Sequence, residues 1–164
     1  MIIFLKNKHT LKVDDFYFKC SIGKNGLSQN KIEGDKKTPI GQFQLEHIYY
    51  RKDRINKPKT SLKCIEIKKN MGWCDDVNHP KKYNKLIKIS KNIKHEKLNR
   101  RDHKYDLLIP IKYNFKKPKV GLGSCIFLHL NNKYKPTMGC ISLNKRDFLI
   151  MLKLINKNTQ IKLI

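Results

Sequence analysis

The sequence predicts a mostly β, single-domain fold of mixed sheet with a C-terminal helix. Three observations carry this. Short runs rich in β-branched and aromatic residues recur along the chain, convincing helical periodicity occurs in one stretch only, and 164 residues with 39% apolar content suit one core rather than two.

From the N terminus, Met1 to Lys6, Phe16 to Ile22 and Gly41 to Tyr50 read as strands, with Gly23-Lys24-Asn25-Gly26 as a turn after the second. Lys52 to Lys59, polar and broken by Asn56 and Pro58, is a loop and a candidate flap over a site. Cys64 to Ile67 and Leu86 to Ser90 are short strands, while Leu107 to Tyr113 and Ser124 to Leu130 are apolar enough to be central. Lys91 to His103 has few apolar anchors and reads as a loop or a frayed helix at the rim. The helix starts after Asn144, which can cap it with Asp147 three positions on, and Phe148, Met151, Leu152 and Ile155 form its apolar stripe. Thr159 to Ile164 alternates as a closing strand.

The chemistry centres on His129 and Cys140. His129 ends the apolar run that begins at Cys125, and Cys140 follows eleven positions later, preceded by Gly139. A hairpin of two strands joined through a loop to Pro136 would bring imidazole and sulfur together. A neighbouring imidazole activates a thiol, because thiolate is the nucleophile. Gly139 would let the backbone turn so that consecutive N–H groups face a developing oxyanion. Spacing alone leaves the plainer alternative open, in which Cys140 is a small buried hydrophobe and His129 a satisfied core or rim residue.

Lys and Arg outnumber Asp and Glu by 37 to 13, a net charge of +24 spread along the whole chain. Such a surface concentrates polyanions, or else reflects a coding bias toward Lys, Asn and Ile. Specific nucleic-acid binding is disfavoured, since there is no basic helix, zinc-finger spacing or aromatic-basic strand signature. The cysteines at 20, 64, 74, 125 and 140 are odd in number and contain no CxxC, so neither a zinc site nor a redox pair is predicted. Cys74, beside Trp73, Asp75 and Asp76, is the rival thiol, but the adjacent carboxylates would raise its pKa. The apolar run Met1 to Leu5 is only five residues long before Lys6, too short for a secretory core or a membrane span.

Thr137-Met138-Gly139-Cys140-Ile141-Ser142, preceded by the strand histidine His129, resembles the Ser/Thr-His-Gly-Cys signature of the L,D-transpeptidase catalytic-domain family of bacterial cell-wall enzymes. Met138 stands where most members carry a second histidine, which is similar to a branch lacking it. Further elements resemble that branch. They are Gly34-Asp35-Lys36-Lys37-Thr38-Pro39-Ile40-Gly41-Gln42-Phe43, then Gly72-Trp73-Cys74-Asp75-Asp76 with Tyr83-Asn84, then Asp102-His103-Lys104-Tyr105-Asp106-Leu107, and Gly123-Ser124-Cys125-Ile126-Phe127-Leu128-His129.

The resemblance implies a β-sheet sandwich of the L,D-transpeptidase type and cysteine-dependent acyl transfer on peptidoglycan stem peptides. Cys140 would attack the carbonyl of the third stem residue, and His129, oriented by a neighbouring backbone carbonyl, would carry the proton. Backbone N–H groups of Met138, Gly139 and Cys140 would form the oxyanion hole. Thr137 would contact substrate or order its loop. His103, Tyr105, Asp75 and Asp76 would bind substrate, with weaker claims for Asp35, Thr38 and Asp102, and none for His9, His47, His79 and His95. No cofactor or metal is expected, and a monomer is. Water as acceptor would make the protein an L,D-carboxypeptidase or amidase; the +24 charge alone would suit a noncatalytic module on an anionic cell-wall polymer. The resemblance implies the cell envelope or periplasm, whereas the lack of a signal core leaves the cytoplasm open.

Overall fold

The computed structural model describes residues 1–164, and it is mostly β with one helix. The chain opens with an antiparallel meander of β1 (Ile2–Asn7), β2 (Thr10–Val13) and β3 (Phe16–Ser21). Ile3 and Leu5 pair with Val13 and Leu11, so four apolar side chains fall on the inner face. Strand β2 is absent from the sequence prediction because four residues between Lys8 and Asp14 show alternation without a long apolar run. Its turn into β3 uses Asp14 at φ 49, a conformation that Asp tolerates better than most residues.

Strands β4 (Leu27–Ser28) and β5 (Thr38–Pro39) form a short parallel pair. The predicted strand Gly41 to Tyr50 is split into β6 (Gly41–Gln44) and β7 (Ile48–Tyr50). Next come β8 (Cys64–Glu66), β9 (Met71–Cys74), β10 (Leu86–Lys88), β11 (His95–Lys97) and β12 (Leu107–Pro110). The chain closes with β13 (Phe127–Leu130), β14 (Ile141–Leu143), α1 (Lys145–Leu154) and β15 (Gln160–Leu163). Ten of these strands make one sheet in the order β6-β15-β1-β2-β3-β14-β13-β12-β7-β8, and β10-β9-β11 make a second.

The split in β6/β7 explains how the large sheet curls. β6 pairs with β15 at one edge, while β7 pairs with β12 near the other. Between them Leu45 bridges Ile111, and the Glu46 N–H donates to the Pro110 carbonyl. One continuous segment therefore ties both ends of the sheet around the core.

Strands β12 and β13 are buried along their whole length because both faces are covered. Leu107, Ile109, Leu128 and Leu130 join a main core of 26 buried residues, whereas Leu108 and Phe127 face a second cluster with Tyr49, Trp73, Tyr105 and Cys140. The period of two along each strand thus sends alternate residues to structure and to the site. The three-stranded sheet covers the second cluster through Trp73, whose ring meets Phe127 edge-on at 5.4 Å.

Two sequence expectations are corrected. Lys91 to His103 contains no helix; its middle is strand β11, held by pairing with β9 rather than by its own apolar residues. The Lys52 to Lys59 loop is no flap over Cys140, since it shares a concavity with Lys145, Leu149 and Lys153 of α1. Its Arg54 guanidinium donates instead to the carbonyls of Arg101 and Asp102, both at 2.9 Å.

Helix α1 begins as expected. The Asn144 side chain accepts the Asp147 N–H at 2.8 Å, and the Asp147 carboxylate accepts from Asn144 Nδ2 at 2.6 Å. Phe148, Met151 and Leu152 are fully buried in the main core. Each such side chain contributes roughly 1.5–3 kcal/mol of transfer free energy. Phe148→Ala removes a fully buried ring and should lower the unfolding free energy by about 3–5 kcal/mol in urea denaturation. A loss under about 1 kcal/mol would show that the helix is not part of the cooperative core.

Candidate active site

Strands β13 and β14 are parallel neighbours, with Leu128 opposite Ile141, His129 opposite Ser142 and Leu130 opposite Leu143. The expected hairpin is therefore corrected: the loop from Asn131 to Cys140 crosses back so that both strands run the same way. In parallel register the side chains of paired residues share a face, and one step back along the ladder Cys140 falls beside Phe127. The Phe127 N–H indeed reaches Cys140 Sγ at 3.4 Å. His129, Cys140 and Ser142 all line one cavity of about 300 Å³.

The two candidate reacting groups are held in defined states. The His129 Nδ1 lies 2.8 Å from the Leu130 carbonyl. A carbonyl only accepts, so Nδ1 carries the proton and Nε2 keeps the basic lone pair. The Cys140 thiol donates to the Cys125 carbonyl at 3.1 Å. Burial lowers the His129 pKa to about 4, with the Lys104 and Arg100 charges adding to it against the Leu130 carbonyl. Burial likewise pushes the Cys140 thiol up to about 12, opposed by the Phe127 N–H. The resting pair is thus thiol and neutral imidazole, whereas the sequence predicts an imidazole that lowers the thiol's pKa; burial is the largest influence on both groups.

The loop carrying Cys140 is fastened from several sides. Gly139 has φ +131, and a Cβ there would meet the Lys37 carbonyl oxygen at 2.8 Å, so glycine is required by both conformation and space. The buried Thr38 hydroxyl donates to the Gly139 carbonyl at 2.8 Å and accepts the Gly23 N–H at 2.9 Å. Thr137 Oγ1 donates to the Cys140 carbonyl at 2.5 Å and accepts the Gly139 N–H at 3.2 Å. Thr137 therefore orders the loop. Its bond also occupies one of the three N–H groups assigned to the oxyanion hole; those of Met138 and Cys140 make no hydrogen bond within the protein.

A second network fixes the strand that carries His129. Asn84 accepts the Trp73 Nε1–H at 2.9 Å and the Cys125 N–H at 3.2 Å through the same Oδ1. Cys125 adopts φ 55, unusual for a non-glycine residue. It is held there by Asn84 on its N–H and by the Cys140 thiol on its carbonyl. The Tyr83 hydroxyl accepts the Gly123 N–H at 3.1 Å and donates to the Glu33 carboxylate, which also takes the Ser124 hydroxyl at 2.7 Å.

The remaining sequence candidates divide. Tyr105 lines the cavity, its ring 5.4 Å from the His129 ring, with the Arg100 guanidinium 4.9 Å from the Tyr105 ring centroid. His103 sits outside the cavity lining, with Nε2 2.7 Å from the Asn131 carbonyl. Asp75 and Asp76 lie away from the cavity. Asp76 accepts the N–H groups of Asn78 and Lys94 and faces His79, so it shapes a turn, and Asp75 pairs with Lys94 at 3.4 Å. Asp35 ties its own turn through Lys31 and the N–H groups of Ile32 and Lys37. Asp102 chelates Arg100 at 2.7 and 3.0 Å. The rival thiol, Cys74, is buried with its pKa raised, first by burial and then by Asp76 and Asp75.

The cavity also recruits residues that the sequence does not single out, namely Glu96, Arg100, Lys104, Asn132, Lys135 and Ser142. Arg100 is held by two carboxylates, since Glu96 accepts from Nη1 at 2.6 Å while Asp102 takes Nε and Nη2. Ser142 was legible only as the polar residue two positions after the cysteine. No metal-binding cluster of His, Cys, Asp or Glu exists in the structure.

The family model for the L,D-transpeptidase catalytic domain matches residues 2–163. No curated protein and no solved structure matches the chain.

The buried neutral histidine sets a pH dependence. A folded pKa near 4 lies below the ordinary 6.5, so the unfolded chain binds the proton first, and stability falls as pH drops from about 6.5 to 4. Comparing the parent with His129→Gln by urea denaturation at pH 7 and pH 4, the parent should lose about 3 kcal/mol more than the variant. Equal losses would place His129 in a solvated environment.

Proposed function

Since the chain belongs to the L,D-transpeptidase catalytic-domain family over residues 2–163, we propose that it catalyses cysteine-dependent acyl transfer on peptidoglycan stem peptides, with Cys140 as nucleophile and His129 as general base. The observation that carries this reading is the parallel register of β13 and β14, which sets a free imidazole nitrogen and a thiol into one cavity.

The protonation states dictate the order of events. Because the resting thiol is neutral, Sγ attacks the carbonyl of the third stem residue as its proton passes to His129 Nε2, so no free thiolate accumulates. The oxyanion forms near the Met138 and Cys140 N–H groups, which have no internal partner to give up. Collapse expels a D-amino acid whose nitrogen takes the proton from Nε2, leaving a thioester on Cys140. An amine of a second stem then attacks the thioester, His129 accepts its proton, and the thiol is restored as the cross-link forms. Water at the same step gives the carboxypeptidase outcome.

The surface suits an anionic setting. With +24 net charge, the protein would be drawn to a polyanionic wall polymer, and its place of action on this reading is the cell envelope. No helix is long and apolar enough to cross a membrane. The whole chain serves as one catalytic domain, acting as a monomer.

Exposure to a carbapenem, followed by intact-mass measurement and peptide mapping, should show a single adduct on Cys140 that is absent from Cys140→Ser. His129→Ala should slow its formation by roughly two to four orders of magnitude, with circular dichroism unchanged. An adduct on Cys74 or Cys20, or an unaltered rate in His129→Ala, would overturn the assignment.

A further inference from the structure

Ser142 stands apart within the cavity. It is 1% exposed and its hydroxyl oxygen has no hydrogen-bond partner, although buried hydroxyls are ordinarily satisfied. It lies opposite His129 in the parallel register, on a strand roughly 4.8 Å away, and two positions after Cys140 on the same face. His129 has spent Nδ1 on Leu130, which leaves Nε2 as its basic nitrogen. A hydroxyl sealed in without a partner, next to the proton acceptor and the nucleophile, is a vacant hydrogen-bonding position built into the site. Thr137 cannot fill that role, because its hydroxyl is committed to the loop.

We propose that Ser142 is the acceptor-positioning residue: its Oγ holds the incoming nucleophile of the second half-reaction against His129, and selects a primary amine. This rests on the Cys140 and His129 roles proposed above. A primary amine attacking the thioester carbonyl must direct its lone pair at carbon and two N–H bonds elsewhere. One N–H bonds Nε2 and the other bonds Ser142 Oγ. As the C–N bond forms and the C–S bond breaks, the first proton moves to Nε2 and then to the departing sulfur, which regenerates the thiol and leaves an amide. A secondary amine has a single N–H and leaves Ser142 unsatisfied, so it binds and reacts less well. Water, with two O–H bonds, fits the same pair of acceptors.

The test separates the two half-reactions. Thioester formation from a soluble stem tetrapeptide is followed by intact mass, and its discharge is then timed with glycinamide, a primary amine, or sarcosinamide, a secondary one. Ser142→Ala should form the thioester within about twofold of the parent rate but discharge to glycinamide roughly 10- to 100-fold more slowly, and lose the preference for glycinamide. Ser142→Thr, which keeps the hydroxyl, should restore most of that step. Because the alanine variant removes an unpartnered buried group, its Tm should be equal to or above the parent's, whereas a structural hydroxyl would lower it. Unchanged discharge, equal slowing of both half-reactions, or a fallen Tm would overturn the proposal while leaving Cys140 as nucleophile. Failure of the parent to form any thioester would instead remove the Cys140 reading, and this inference with it.

Discussion

The parallel pairing of β13 with β14 is the constraint on which the site depends. It fixes which residues share a face: Leu128, Leu130, Ile141 and Leu143 turn into the main core, and Phe127, His129, Cys140 and Ser142 turn the other way. A shift of one residue would put His129 into the main core and a leucine into the cavity. Such a slip would exchange a buried aliphatic contact for an imidazole in the main core. The register is therefore held by core packing, and the chemistry inherits its geometry from that packing.

Around this pairing, the polar residues of the family-like segments serve mainly as fasteners. Thr38 grips the Gly139 carbonyl, Thr137 closes the turn before Cys140, and Asn84 joins Trp73 to Cys125. Asp35, Asp76 and Asp102 bind local N–H groups or a guanidinium rather than facing the cavity. Their carboxylates are thereby satisfied by backbone N–H groups of turns and by arginine. The exception, Glu96, lines the cavity but is paired with Arg100 at 2.6 Å.

Much of this was legible in the sequence. The helix, its Asn144 cap and its buried stripe follow from periodicity, and the apolar run before His129 identified a central strand. The parallel direction of β14 was hidden, because a ten-residue loop between two short strands is compatible with a hairpin as well as a crossover. β2 and β11 were hidden for a different reason: each is three or four residues long and is made a strand by its partners. At the site, His129, Cys140, Thr137 and Tyr105 fall together as the motif pattern suggests. Asp75, Asp76 and His103 do not, since proximity in a motif does not reveal which side of a turn a side chain takes. Protonation was the least legible feature, because the depth of burial that raises the thiol and lowers the imidazole is a property of the assembled sheet.

The central claim is that the fold stores a neutral thiol–imidazole pair and that proton transfer waits for the acyl donor. Thiolate absorbance near 240 nm, taken as the difference between the parent and Cys140→Ser across pH 5 to 9, tests it most directly. The account predicts no thiolate signal from Cys140 anywhere in that range, given a thiol pushed up to about 12. A difference signal that is already present at pH 7 would mean a preformed ion pair, and would contradict the mechanism.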